Sequence, residues 1–136
     1  MNAVDTNVLI YVHDPRDLDK QATALALLES LSEGALLWQV ACEYLAASRK
    51  LEPFGYSRSQ AWQDVQRLRR IWATVLPDWS ALDRAERLMD TLSLSFWDAL
   101  IIAACLEAGV TRLYSEDLGG YPNPNGLQLI NSFVRS

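Results

Sequence analysis

Histidine occurs once in this 136-residue sequence, and lysine and cysteine twice each. Cys42 and Cys105 lie far apart, with no Cys-x-x-Cys or Cys/His spacing, which excludes a zinc site and a disulfide framework. Both fall in apolar helical stretches and read as small buried hydrophobes of a reducing compartment. The lone His13, beside Asp14 and Pro15, reads as a surface side chain, with general-base chemistry as the alternative. A basic excess is missing as well: the net charge is −5. That balance excludes a protein that coats nucleic acid by releasing counterions from phosphates, although not an enzyme that cuts it. Ten of the twelve basic residues are arginines, and Arg67, Arg69 and Arg70 crowd one expected helix with Arg58 at its start. A solvated helix face is the plain reading of that run, a phosphate contact the other. The opening residues lack a basic start followed by a long apolar run, so neither a signal peptide nor a membrane span is expected, and the setting reads as cytoplasmic.

What is present is an ordinary globular composition, half hydrophobic and about a fifth charged, of a length that fits one domain over residues 1–136. Short apolar strands are expected at Asn2–Val4, Ala35–Trp38, Ala73–Leu76, Arg112–Tyr114 and Leu127–Ile130. Helices are expected between them. Asp5-Thr6-Asn7 offers capping side chains ahead of Val8–Val12, so the first strand turns directly into a helix. Ala22, Leu25, Leu28 and Leu31 have the period of an amphipathic helix ending before Gly34. Gln39–Leu51 forms the next, closed by Pro53 and Gly55, and Ser57 caps another through Trp62, Val65, Leu68 and Trp72. Ser80 with Asp83, and Ser95 with Asp98, have the form of capping boxes. The second opens Ala99–Ala108, apolar on nearly all sides and hence buried, which Gly109 stops. Gly119, Gly120, Pro122 and Pro124 form a loop before the last strand. Strands alternating with helices imply an α/β fold, a three-layer α/β/α domain with a central parallel sheet.

Four acids sit among apolar neighbours at strand ends or in helices that start nearby: Asp5, Glu43, Asp98 and Asp117. In an open parallel sheet, ligands bind beyond the carboxyl ends of the strands, where Asp5 and Asp117 fall. Glu43 and Asp98 are on helices able to close over the same edge. Two unit charges about 4 Å apart repel by roughly 4 kcal/mol at an effective dielectric near 20, so such a cluster calls for a cation or protons. Hard oxygen ligands select Mg²⁺ or Mn²⁺, a setting suited to phosphodiester cleavage by an activated water. Each acid also has a plainer role. Asp5 and Asp98 can be helix-capping groups, Glu43 can pair with Arg49 or Lys50, and Asp117 can be a turn residue with Glu116 competing for its place.

With those residues in view, the chain resembles the PIN-domain ribonucleases, and most closely the VapC-type toxins of bacterial toxin–antitoxin pairs. The resemblance runs from Val-Asp-Thr-Asn-Val-Leu-Ile through Gln39–Tyr44 and Ser-Phe-Trp-Asp-Ala-Leu-Ile-Ile-Ala-Ala to Leu-Tyr-Ser-Glu-Asp-Leu. It implies a PIN-like fold and Mg²⁺-dependent hydrolysis of RNA, with Mn²⁺ able to substitute, restrained by a cognate antitoxin in the active-site groove. The family's acidic positions fall on Asp5, Glu43, Asp98 and Asp117 as catalytic and metal-binding residues. Asn7 and Ser115 match accompanying polar positions that orient ligands or substrate. The resemblance also implies a homodimer, for which Trp62 and Trp72 are candidate surfaces for a second copy or the antitoxin, core packing being the other reading.

Two competing readings remain at this point. A haloacid-dehalogenase-like phosphatase also carries an aspartate after its first strand, but it wants a second acid where this chain has Asn7 and a late lysine where this chain has none. A catalytically degenerate PIN domain kept as a binding module is the non-enzymatic alternative, and the filled acidic positions argue against it.

Overall fold

The computed structural model of the chain describes residues 1–118 and 120–134. Gly119 of the expected loop, and the last two positions of the expected 1–136 domain, lie outside the described residues. Five strands, β1 (Asn2–Val4), β2 (Gly34–Leu37), β3 (Ala73–Val75), β4 (Arg112–Tyr114) and β5 (Gln128–Ile130), form one sheet in the order β3-β2-β1-β4-β5. All four pairings are parallel, with Ala3 opposite both Ala35 and Leu113. The chain winds outward from β1 to β3, then returns to lay β4 on the other side of β1. The order therefore reverses between β1 and β4, which opens a crevice at their carboxyl ends.

The helices are α1 (Thr6–Tyr11), α2 (Leu18–Ser30), α3 (Trp38–Ala47), α4 (Arg58–Ile71), α5 (Trp79–Leu92) and α6 (Phe96–Ala108). Right-handed crossovers put α1–α4 on one face and α5 and α6 on the other, because the winding direction changes after β3. The packing agrees: α1 rests on α2 and α3, α3 on α4, and α5 on α6. The expected three-layer α/β/α arrangement is therefore the one found. Residues Ala99–Cys105 of α6 are all buried, as the all-round apolar sequence requires. Gly109 ends that helix with φ +77°, a left-handed conformation that glycine adopts without strain. No single helix among the described residues is long and apolar enough to cross a membrane.

Several local expectations need correction. The α5 cap is Asp78, not Ser80: its Oδ1 accepts from the Ser80 and Ala81 amides at 3.0 and 3.4 Å. A carboxylate directly after Pro77 meets the free amides of the first turn more strongly than the Ser80 hydroxyl, which lies inside the helix. On α2 the buried residue is Ala24, whereas Ala22 and Leu25 are exposed. Leu25 and Leu28 instead line an open cleft of about 280 Å³ with Leu9, Val12, Val65 and Leu68. The helix ending near Leu51 stops at Ala47 and tightens into a 3₁₀ segment, Ser48–Phe54, around Pro53. Cys105 is buried, but Cys42 is exposed, on the side of α3 turned away from Val40 and Tyr44. Of the two tryptophans, Trp72 packs against the core while Trp62 is 48% exposed. The Trp72 indole lies over Gly34, where an added Cβ would come within 2.4 Å of the ring.

Candidate active site at the β1/β4 switch point

Asp5 leaves β1 and caps α1. Its Oδ1 accepts from the Thr6 amide at 2.7 Å and its Oδ2 from the Ser115 hydroxyl at 2.8 Å. The main chain closes the same joint, with Asp5 N–H donating to the Tyr114 carbonyl at 2.8 Å. Ser115 therefore follows β4 next to the end of β1, and it is 1% exposed. Its oxygen also accepts from the Asp117 and Leu118 amides at 3.2 and 3.3 Å, which folds the chain after β4 into a turn. Asp117 emerges from that turn into solvent, and Asn7 Nδ2 donates to its Oδ2 at 3.2 Å. Asn7 Oδ1 accepts from the Glu116 amide at 3.4 Å.

Glu43 reaches the same edge from α3. Thr6 Oγ1 donates to its Oε2 at 2.9 Å and Gln39 Nε2 to its Oε1 at 2.7 Å. It does not pair with Arg49, which bonds Glu52 instead at 3.1 Å. Asp98 stands in the first turn of α6, its amide donating to the capping Ser95 hydroxyl at 3.3 Å. The capping work at this helix end is thus done by Ser95, and among the described residues the Asp98 carboxylate accepts no hydrogen bond.

Asp5 is the electrostatic centre of the group. Burial raises its pKa above the ordinary carboxylate range, the Ser115 and Thr6 hydrogen bonds pull it down, and the charges of Glu43 and Asp98 push it up again. Those two carboxylates are therefore within Coulombic reach of a group that is 6% exposed. Among the described residues none of the four acids is in an ion pair with lysine, arginine or histidine. The donor set consists of hard carboxylate oxygens that lack a counterion, which suits Mg²⁺ or Mn²⁺ by chemistry. Among the described residues no three His, Cys, Asp or Glu side chains are grouped closely enough to hold a metal ion as they stand.

Glu116 is engaged elsewhere. It pairs with Lys20 Nζ at 2.8 Å and accepts from the Tyr11 hydroxyl. Burial pushes its pKa up, but those two donors together hold it below its ordinary value. His13 is neither a surface residue nor near the acids. It is half-buried, stacked on the Tyr56 ring at 4.1 Å between centroids, with Nε2 3.1 Å from Asp64 Oδ2. Burial lowers its pKa more than Asp64 raises it, so at neutral pH this contact is an imidazole N–H donating to a carboxylate. Arg58, Arg67, Arg69 and Arg70 are exposed, the solvated face expected of them.

Two residues at the edge were not singled out from sequence, Thr6 and Gln39. Gln39 had a signal, since it stands four residues before Glu43 on one helix face. Thr6 had none, because its bond spans 37 residues.

A PIN-domain family model matches residues 3–119. Among solved structures, 11 chains match. A chain of a toxin–antitoxin complex from Klebsiella pneumoniae superposes with a TM-score of 0.72 at 18% identity, covering 98% of both chains. The sarcin–ricin loop cleaving toxin VapC20 of Mycobacterium tuberculosis gives 0.62 at 20% identity, covering 83% of this chain and 87% of that one. VapBC-1 from nontypeable Haemophilus influenzae gives 0.61 at 16% identity, covering 96% and 97%. Likeness at such low identity speaks for the fold. No curated protein matches the sequence.

Proposed function

The chain belongs to the PIN-domain family, and on that premise we propose that it is a divalent-metal-dependent endoribonuclease, the toxin of a toxin–antitoxin pair. What supports this reading is that Glu43 and Asp98 lie within Coulombic reach of the buried Asp5 at the edge where the strand order reverses, with Asp117 on the turn that Ser115 and Asn7 hold beside it. In this reading Asp5 and Asp98 are the central ligands, Glu43 binds the metal or orients the attacking water, and Asp117 completes the set. Bound Mg²⁺, or Mn²⁺ in its place, supplies a polarised water and offsets charge on the phosphoryl oxygens. The chain's own residues do the rest. Ser115 and the Thr6 amide orient both oxygens of Asp5 and partly offset the cost of burying its charge, while Thr6 and Gln39 fix both oxygens of Glu43. Asn7 tethers Asp117.

A protein antitoxin and a second copy of the chain are the partners this reading supplies. The α4 face supports the first, because Trp62 is exposed there and Val65 and Leu68 of the same helix line the apolar cleft. On this reading a cellular RNA target implies a cytoplasmic setting. The deciding experiment expresses wild type and Asp5→Asn in parallel and maps cellular RNA ends. Growth arrest and a discrete cut, both abolished by the substitution, are expected. Equal toxicity of the two forms refutes the acid cluster as catalyst, and a wild type that binds a partner but neither Mn²⁺ nor RNA makes the domain a binding module.

A further inference from the structure

Gln39 is the second residue of α3, it is 9% exposed, and it stands outside the acid set. Its Nε2 donates twice, to Glu43 Oε1 at 2.7 Å and to the Trp97 carbonyl at 3.2 Å. Its Oε1 is buried and, among the described residues, has no hydrogen-bond partner. Flipping the amide would turn that oxygen toward a carboxylate and a carbonyl, two acceptors, so the orientation is fixed by its surroundings. A buried acceptor left unmet is unfavourable, and an apolar side chain of similar length would avoid it. The compensating gain lies in what the two N–H groups hold. One grips the carboxylate of α3 and the other grips α6 at the residue immediately before Asp98. The second oxygen of Glu43 is held by Thr6, so with Gln39 in place the carboxylate has no free rotation.

We propose that Gln39 is a positioning residue, a strut whose two amide hydrogens set the placement of Glu43 relative to Asp98. This rests on the nuclease reading, because it is in that reaction that the spacing of the two acids matters. The strut spans two layers of the fold, α3 on one face of the sheet and α6 on the other, and it is a hydrogen-bonded link between those helices at the site edge. It neither touches substrate nor supplies a ligand. Its effect is to keep two like charges from relaxing apart, so that a cation finds them at a common distance.

The test uses the full chain with Mn²⁺ as the probe. Gln39→Met keeps length and removes both donors and the unmet acceptor. Its kcat on RNA is expected to fall about 10- to 100-fold, the usual effect of removing a partner of a metal ligand, with KM little changed. Mn²⁺ affinity, read from the free-ion EPR signal, is expected to fall with it. Gln39→Glu restores the shape but sets a carboxylate against Glu43, and its loss is expected to exceed that of the methionine variant. A folded Gln39→Met protein with wild-type kcat and Mn²⁺ affinity overturns the strut while leaving the nuclease standing. A wild type that neither binds Mn²⁺ nor cuts RNA overturns the nuclease, and this role with it. Should Gln39→Met not fold, NMR of the wild type decides. The Gln39 side-chain amide protons are expected to exchange slowly and to shift in Glu43→Gln, whereas exchange as fast as that of the exposed Gln63 refutes the strut.

Discussion

The Ser115 hydroxyl donates to Asp5 Oδ2 at 2.8 Å, joining residues 110 positions apart at the carboxyl ends of two adjacent strands. The same oxygen accepts two amides of the turn that presents Asp117. One buried atom thus orients the first acid and the loop of the last. Ser115→Ala removes a donor from a buried carboxylate and an acceptor from two amides, and is expected to lower stability by about 1–3 kcal/mol. Ribonuclease activity is expected to fall about 10- to 100-fold, and Ser115→Thr to retain both. Urea unfolding and cleavage assays on the three proteins check this; an alanine variant as stable and active as wild type would refute the shared role.

Asp5 is an acid that the metal-free fold does not favour as a charge. Burial and the neighbouring Glu43 and Asp98 raise its pKa. Asp5→Asn in EDTA is therefore expected to unfold at the same temperature as wild type or higher. Mn²⁺ is expected to stabilise only the wild type, by about 2.7 kcal/mol at one hundred times Kd. A calorimetric scan of both proteins with and without the ion reads this directly, and equal stabilisation of the two would remove Asp5 from the ligand set.

His13 should make stability fall on the acid side of neutrality. Its pKa is lowered from 6.5 by burial, so between the folded and unfolded values the unfolded chain binds the extra proton. The contribution is complete above about pH 6.5, and it declines as pH drops through that value toward the folded pKa. His13→Gln is expected to flatten the profile between pH 7 and 5. Denaturation midpoints across that range test it, and an unchanged slope in the variant would assign the acid limb to other groups.

Gly34→Ala places a methyl group 2.4 Å from the Trp72 indole. Ring or strand must shift, at a cost of about 1–3 kcal/mol for overpacking. Lower stability and a red-shifted tryptophan emission are expected, both relieved by adding Trp72→Leu. If the single variant unfolds like wild type, the indole does not cover β2 in solution.

Most of this architecture was legible because its signals are local. β1 running into a capped α1, and an α6 apolar on every side, follow from adjacent residues. The departures arose where a local pattern had two solutions. Asp78 and Ser80 both resemble caps, and only the entry of the chain after Pro77 decides between them. Leu25 keeps helical spacing yet lines an open cleft, while the smaller Ala24 is the residue of α2 that is fully buried. Glu116 and Asp117 are adjacent acids that sequence leaves equivalent, and Lys20 and Tyr11, about a hundred residues away, separate them. Gln39 and Thr6 act on Glu43 through contacts that appear only after the helices dock.

The strand order also makes the edge depend on a distant stretch of chain. Asp5 follows β1 directly, but the strand paired with β1 on that side, β4, begins only at Arg112. A polypeptide halted before that point has β1 without its second partner and a buried carboxylate without Ser115. The edge is therefore complete only once β4 and the turn after it have docked, so a fragment ending before Arg112 lacks both the Ser115 bond to Asp5 and the turn that presents Asp117.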